Sequence, residues 1–178
     1  MSIRSHRGKH PAIAKDVYLD PASVVIGDVE IGEQSSIWPM TVVRGDIHRI
    51  RIGKRTSVQD NSMLHVTHAG PYNPDGFPLI IGDDVTIGHK VMLHGCTLGN
   101  RILVGMSATI MDGAVIKDEV VIAAGTLVPP GKVLESGYLY LGNPCRQVRP
   151  LTVSNTHLRA HETTTPNTKA DNRKKHRA

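Results

Sequence analysis

Aliphatic residues return every six positions through most of this chain, and few folds accept that interval. The first run is Leu19, Val25, Ile31, Ile37 and Val43. The phase slips and resumes at Ile52, Val58 and Leu64, then after a longer break at Ile81, Ile87 and Leu93. One residue is missing before Leu98, Val104, Ile110, Ile116, Ile122 and Val128. Glycine often follows the aliphatic position, as at Gly32, Gly53, Gly82, Gly88, Gly99 and Gly105. Further along each repeat stand small or β-branched residues, among them Ser35, Thr41, Thr56, Ser62, Ala108 and Ala114. An amphipathic helix repeats its apolar residues at intervals of three and four, so this period excludes it. The pattern fits a β-solenoid in which each hexapeptide is a short strand plus a corner, and three of them close one triangular coil. Coils stack at the strand spacing of about 4.8 Å with the aliphatic residue inside. The small residue suits a crowded corner, and glycine suits the left-handed backbone that tight corners often use.

The composition agrees. Aromatic residues make up 3%, so the core must be aliphatic, while 17 glycines and 11 prolines suit many turns. The net charge of +5 belongs to the ends: residues 11–150 carry more acid than base, whereas 151–178 hold six Lys/Arg against Glu162 and Asp171. No aromatic platform accompanies that basic tail, which reads as solvated and disordered rather than as a nucleic-acid or membrane surface. Cys96 and Cys145 lack a paired motif and read as free thiols of a reducing compartment. No apolar run approaches the roughly 20 residues of a membrane helix. The N-terminus MSIRSHRGKHP lacks the apolar stretch of a secretory signal, so the expectation is a cytoplasmic protein. After Val128 the repeat fades, and Ser154–Glu162 reads as a short helix with Ser154 as N-cap. The expected organisation is a flexible segment over 1–10, a β-helix domain over 11–151, and a short helix with a disordered basic tail over 152–178.

Two irregularities interrupt the period. Asp46-Ile47-His48-Arg49 lies at the slip, and the Gly- and Pro-rich run from His68 to Pro78 reads as a loop expelled from the solenoid. Expelled loops often sit at functional sites. The segment TIGHKVMLHGC places His89 and His94 five residues apart. In a strand this spacing points them to opposite faces, so they do not chelate one ion together. The period pairs His94 with another residue: His65 follows Leu64 as His94 follows Leu93. These two occupy one corner in successive coils, a spacing that suits two imidazoles on one zinc. His89 stands at a different corner and reaches them only through a second copy of the chain.

The spacing of these residues carries a family likeness. The six-residue pattern resembles the left-handed parallel β-helix of the hexapeptide-repeat superfamily, and the handedness comes from that resemblance alone. Arg44-Gly45-Asp46, Gln59-Asp60, His65, and His89 followed five residues on by His94 resemble the gamma-class carbonic anhydrases, in particular their YrdA-like bacterial branch. The likeness covers residues 11–151. It implies a homotrimer in which His65, His89 and His94 bind a metal shared across the subunit interface. That metal is Zn²⁺, with Fe²⁺ or Co²⁺ as alternatives. It implies that Gln59 hydrogen-bonds the metal-bound water, that Asp60 orients the site, and that Arg44 pairs with Asp46 at the interface. That pair serves equally well as trimer cement without a catalytic role. A tri-His zinc brings the pKa of bound water towards ~7, which suits reversible hydration of carbon dioxide to bicarbonate. The acidic proton-shuttle residues of the archetype fall near Ile47 and His68, neither of them acidic. His68 is the candidate relay, with His48 a weaker one.

Two other functions share these features. Hexapeptide acyltransferases have the same solenoid and often end in Gly-Asn-Pro, seen here as Gly142-Asn143-Pro144, and a single histidine serves them as base. A family member that binds metal with weak or no hydratase activity is the other.

Overall fold

The computed structural model describes residues 2–71 and 73–152. Over these residues the chain is a left-handed β-solenoid of short, stacked parallel strands. The first face holds Ser2–Arg4, the start of Val24–Ile31, the start of Val42–Ile52, then Met63–His65, Met92–His94, Thr109–Ile110 and Leu127–Val128. The second holds Ala12–Ile13, the ends of those two long strands, then Leu79–Ile81, Thr97–Leu98, Val115–Ile116 and Val133–Leu134. The third runs from Tyr18–Leu19 through Ser36–Ile37, Ser57–Val58, Thr86–Ile87, Leu103–Val104 and Val121–Ile122 to Tyr138–Gly142. Cys145–Pro150 then folds back antiparallel on Tyr138–Gly142. Val24–Ile31 and Val42–Ile52 turn a corner without breaking, which joins the first two faces into one hydrogen-bonded sheet.

The six-residue positions are the core. Ile37, Val58, Ile87, Val104 and Ile122 align across the third face, all with no exposed surface. Each ladder adds one aliphatic layer, and stability comes from stacking rather than from any single coil. The repeat extends further than its fading after Val128 suggests. Leu134 pairs with Ile116 and Tyr140 with Ile122, and both are buried. At the other end Ile13, six residues before Leu19, pairs with Ile31. The segment expected to be flexible over 1–10 instead adds a strand at Ser2–Arg4, in register with Val24–Ile26. The helix expected over Ser154–Glu162 and the basic tail lie outside the described residues.

The repeat glycines have a different reason from the expected one. The left-handed corner positions are filled mainly by other residues, among them Gln34, Met40, Arg55, Asn61, Asp84, Lys90, Arg101 and Ser107. Glycines such as Gly32 stand instead where coils approach closely: a Cβ on Gly32 would lie 2.7 Å from the Gly53 carbonyl. The buried hydroxyls close the same gaps. Ser35 donates to the Gly53 carbonyl at 2.8 Å and Thr56 to that of Gly82 at 2.9 Å.

Both irregularities fall where the first face turns into the second. The register shifts between Gly27 and Val29, which pair with Gly45 and Ile50, so Asp46–Arg49 bulge out of the corner. One coil later the 68–78 loop leaves the same corner, its base closed by mutual backbone hydrogen bonds between Thr67 and Phe77. Among the described residues no helix is long and apolar enough to cross a membrane. Both cysteines are free and buried.

Candidate metal centre

His65 and His94 end neighbouring strands of the first face and are direct register partners. The alternation that buries Leu64 and Leu93 carries both imidazoles to the same corner. Nδ1 of His65 and Nε2 of His94 lie 3.1 Å apart, with ring centroids 5.1 Å apart and the planes tilted by 58°.

The far side of each ring meets a carboxylate. His65 Nε2 lies 2.9 Å from Asp46 Oδ1, and His94 Nδ1 lies 2.7 Å from Asp112 Oδ1. An ionised carboxylate only accepts, so these ring nitrogens carry the hydrogens. In the neutral rings the two facing nitrogens then both present lone pairs. Two lone pairs at that distance repel unless a cation lies between them. Two nitrogens bound tetrahedrally to one zinc at about 2.0–2.1 Å are themselves about 3.3 Å apart.

Asp46 reaches His65 because the bulge carries it off the strand. Its other oxygen accepts a hydrogen bond from the Arg44 guanidinium. Burial alone would raise the Asp46 carboxyl, but the bonds from His65 and Arg44 outweigh it and hold the group below the usual carboxylate range. Burial pushes His65 below the ordinary histidine value, aided by the Arg44 and His94 charges and opposed by Asp46. His65 is therefore neutral at pH 7, as a metal ligand must be. Cys96, two residues past His94, is fully enclosed and its thiol is pushed far up, which removes it as a thiolate ligand.

His89 stands elsewhere. It lies on the corner where the third face turns into the first, with Asp60 beneath it. His89 Nδ1 is 3.0 Å from Asp60 Oδ2, which leaves Nε2 free, and the side chain is 48% exposed. Gln59 precedes Asp60 and is half-buried, its carbonyl accepting the Thr41 hydroxyl at 2.9 Å. No group of three or more His, Cys, Asp or Glu side chains placed to hold a metal occurs within one chain among the described residues. The structure thus joins Arg44, Asp46, His65 and His94 at one corner, and Gln59, Asp60 and His89 at another.

His68 is exposed at the start of the loop, and no hydrogen bond joins it to His65 or His94 among the described residues. His48 is engaged by backbone: Nδ1 accepts from the Arg49 amide and Nε2 donates to the Asp75 carbonyl at 3.0 Å.

Curated proteins are similar to this chain over most of its length. Protein YrdA of Escherichia coli K12 is 59% identical over 149 residues, 84% of this chain and 81% of its own. The carbonic anhydrase of Geobacillus kaustophilus is 45% identical over 84% of this chain and 79% of its own. Gamma carbonic anhydrase 2, mitochondrial, of Arabidopsis thaliana is 44% identical over 81% of this chain and 51% of its own. The chain belongs to the gamma carbonic anhydrase family. No protein-family model matches it. Among solved structures, a hexapeptide transferase family protein from Anaplasma phagocytophilum superposes with a TM-score of 0.83 at 36% identity, over 91% of this chain and 92% of its own.

Membership of the gamma carbonic anhydrase family implies a metal cofactor, and the donor chemistry fits one. Each of the three histidines is backed by its own carboxylate, the arrangement that fixes tautomer and raises basicity in metal-ligating histidines. Two of those carboxylates, Asp46 and Asp60, lie in the segments that carry the family likeness. The third, Asp112, does not, and the spacing argument did not find it. Its only signal in the sequence is its place in the coil after His94, two residues past Ile110.

Proposed function

We propose that the protein is a zinc-dependent lyase of the carbonate dehydratase type, hydrating carbon dioxide reversibly at centres shared between subunits of a homotrimer. The facing, carboxylate-backed nitrogens of His65 and His94 carry this reading. They form two-thirds of a tri-His site and need a third ligand from outside the chain. His89, with its free Nε2, is the matching third. The surface between the two half-sites supports the same assembly. On the first face the outward positions Val24, Val42, Met63 and Met92 form an apolar stripe, and Met92 is 37% exposed. A neighbour packed on that face brings its His89 corner towards His65 and His94.

When bound, zinc held by three imidazoles supplies Lewis acidity and a hydroxide nucleophile at neutral pH. The chain's own groups do the rest. Asp46, braced by Arg44, keeps His65 in one tautomer, and Asp60 does the same for His89. Gln59 supplies an amide beside Asp60 to orient the reacting oxygen. His68, exposed on the loop, carries the released proton to solvent. The two unpaired, buried thiols suit a cytoplasmic setting.

Metal analysis of the purified protein together with a stopped-flow carbon dioxide hydration assay tests this. Stoichiometric zinc, hydration above buffer, and loss of both in His65→Ala and His89→Ala support it. Zinc without hydration would leave a metal-binding family member. Acyl transfer is the second reading, favoured by the likeness to a hexapeptide transferase family protein. Protection by acetyl-CoA, with no metal bound, would establish it instead.

A further inference from the structure

The 68–78 loop and the metal corner are joined through Asp112, the carboxylate behind His94 that the family likeness did not supply. Asp112 leaves the corner one coil beyond His94. Its Oδ1 is 2.7 Å from His94 Nδ1, and its Oδ2 accepts the Thr67 hydroxyl at 2.9 Å. Thr67 is the residue that closes the loop base against Phe77. Three coils therefore meet on one carboxylate. Room for it is provided by Gly95, at φ +51°, where a Cβ would overlap the Asp112 carboxylate and lie 2.6 Å from Phe77 Cβ. The Phe77 ring continues over Gly113. The glycine after His94 is thus the gap through which Asp112 reaches the imidazole.

We propose that Asp112 is a positioning residue for the metal centre, holding His94 as the Nδ1–H tautomer with Nε2 free to ligate, and that Thr67 fixes the carboxylate and so couples the loop base to that ligand. The inference rests on the metal-site reading given above. An ionised carboxylate facing Nδ1 favours the hydrogen there. Removal of such a partner from a ligating histidine typically weakens metal binding about 10–100-fold. Thr67→Val leaves the carboxylate in place with one fewer bond and should weaken binding less.

The test compares wild type, Asp112→Ala, Asp112→Asn and Thr67→Val, all checked for the native fold by circular dichroism. Zinc affinity is read by competition with a chelator. The His94 tautomer is read in metal-free protein from its ring ¹⁵N shifts. Asp112→Ala should bind zinc about 10–100-fold more weakly and show a mixed tautomer. Asp112→Asn keeps an acceptor, so it should hold the tautomer and fall between the two in affinity. Unchanged affinity and tautomer in folded Asp112→Ala would overturn the inference while leaving the metal site standing. If Asp112→Ala does not fold, Thr67→Val decides: wild-type affinity and an unchanged loop base would count against the coupling. Should wild type bind no zinc, the metal reading fails, and the tautomer still decides the role of Asp112.

Discussion

His65 and His94 face each other at 3.1 Å through nitrogens that their carboxylate partners leave without hydrogens. Replacing either should abolish stoichiometric zinc. It should also remove hydration activity beyond the roughly 10–100-fold expected for loss of a carboxylate partner. Because each metal-free ring suffers the other's lone pair, His94→Ala should leave the metal-free protein no less stable than wild type. Metal analysis and thermal melts in chelator check both statements.

The separation of His89 from that pair predicts complementation. His89→Ala and His94→Ala are each expected to be inactive alone. Refolded together in equal amounts, they should regain activity. About one interface in four (one half times one half) combines an intact His89 with an intact His65–His94 pair in a randomly mixed symmetric oligomer. Recovery near a quarter of wild type supports the shared site, whereas no recovery from well-mixed oligomers would contradict it.

The half-buried position of His65 sets a pH dependence. Its folded pKa lies below the ordinary histidine value, chiefly through burial. Below about 6.5 the unfolded chain takes up a proton that the folded one refuses. The stabilisation is complete above that pH and is lost as pH falls from there towards the folded value. Asp46 is also held low, so a second loss begins near the ordinary carboxylate value and continues to lower pH. Thermal midpoints of metal-free protein between pH 8 and 3 should fall in two steps, and His65→Gln should remove the first.

Core truncation should be costly wherever the six-residue period falls. Leu93 is fully buried between Leu64 and Ile110. Leu93→Ala should destabilise the protein by about 2–5 kcal/mol. Met92→Ala, on the outward side of the same strand, should cost far less in unfolding free energy but weaken subunit association. Chemical denaturation and sedimentation separate the two.

Gly95→Ala probes the gap beside His94. The added methyl collides with the Asp112 carboxylate and Phe77 at a residue of positive φ. A loss of about 1–3 kcal/mol, accompanied by weaker zinc binding, is expected. Gly125→Ala, where a Cβ meets nothing, shares the positive φ and controls for backbone strain.

Much of this was legible in the sequence because a strict period turns residue number into position. Leu64 and Leu93 hold equivalent phases, so the pairing of His65 with His94 follows from arithmetic. The same arithmetic sets Asp60 beneath His89, each two residues past a core position, although Asp60 was expected at the site only through the family likeness. What the period cannot encode is side-chain reach across coils. Asp112 meets His94 only because the corner after His94 is one residue short and lacks a Cβ at Gly95. Asp46 meets His65 only because extra residues push it outward. The glycines misled for a related reason: a spacing shows where a small residue recurs but not whether a torsion angle or a neighbouring backbone demands it.

The bulge at Asp46–Arg49 and the 68–78 loop leave the solenoid from the same edge, while the strands on either side keep their hydrogen-bonded register. That edge can therefore be rewritten. Segments of other lengths and chemistries grafted between Asp46 and Ile50, which keeps the carboxylate behind His65, or between His68 and Phe77, would face the two imidazoles without touching an aliphatic layer. The scaffold separates the part that folds from the part that reacts, and new substrates are best sought by exchanging those two segments alone.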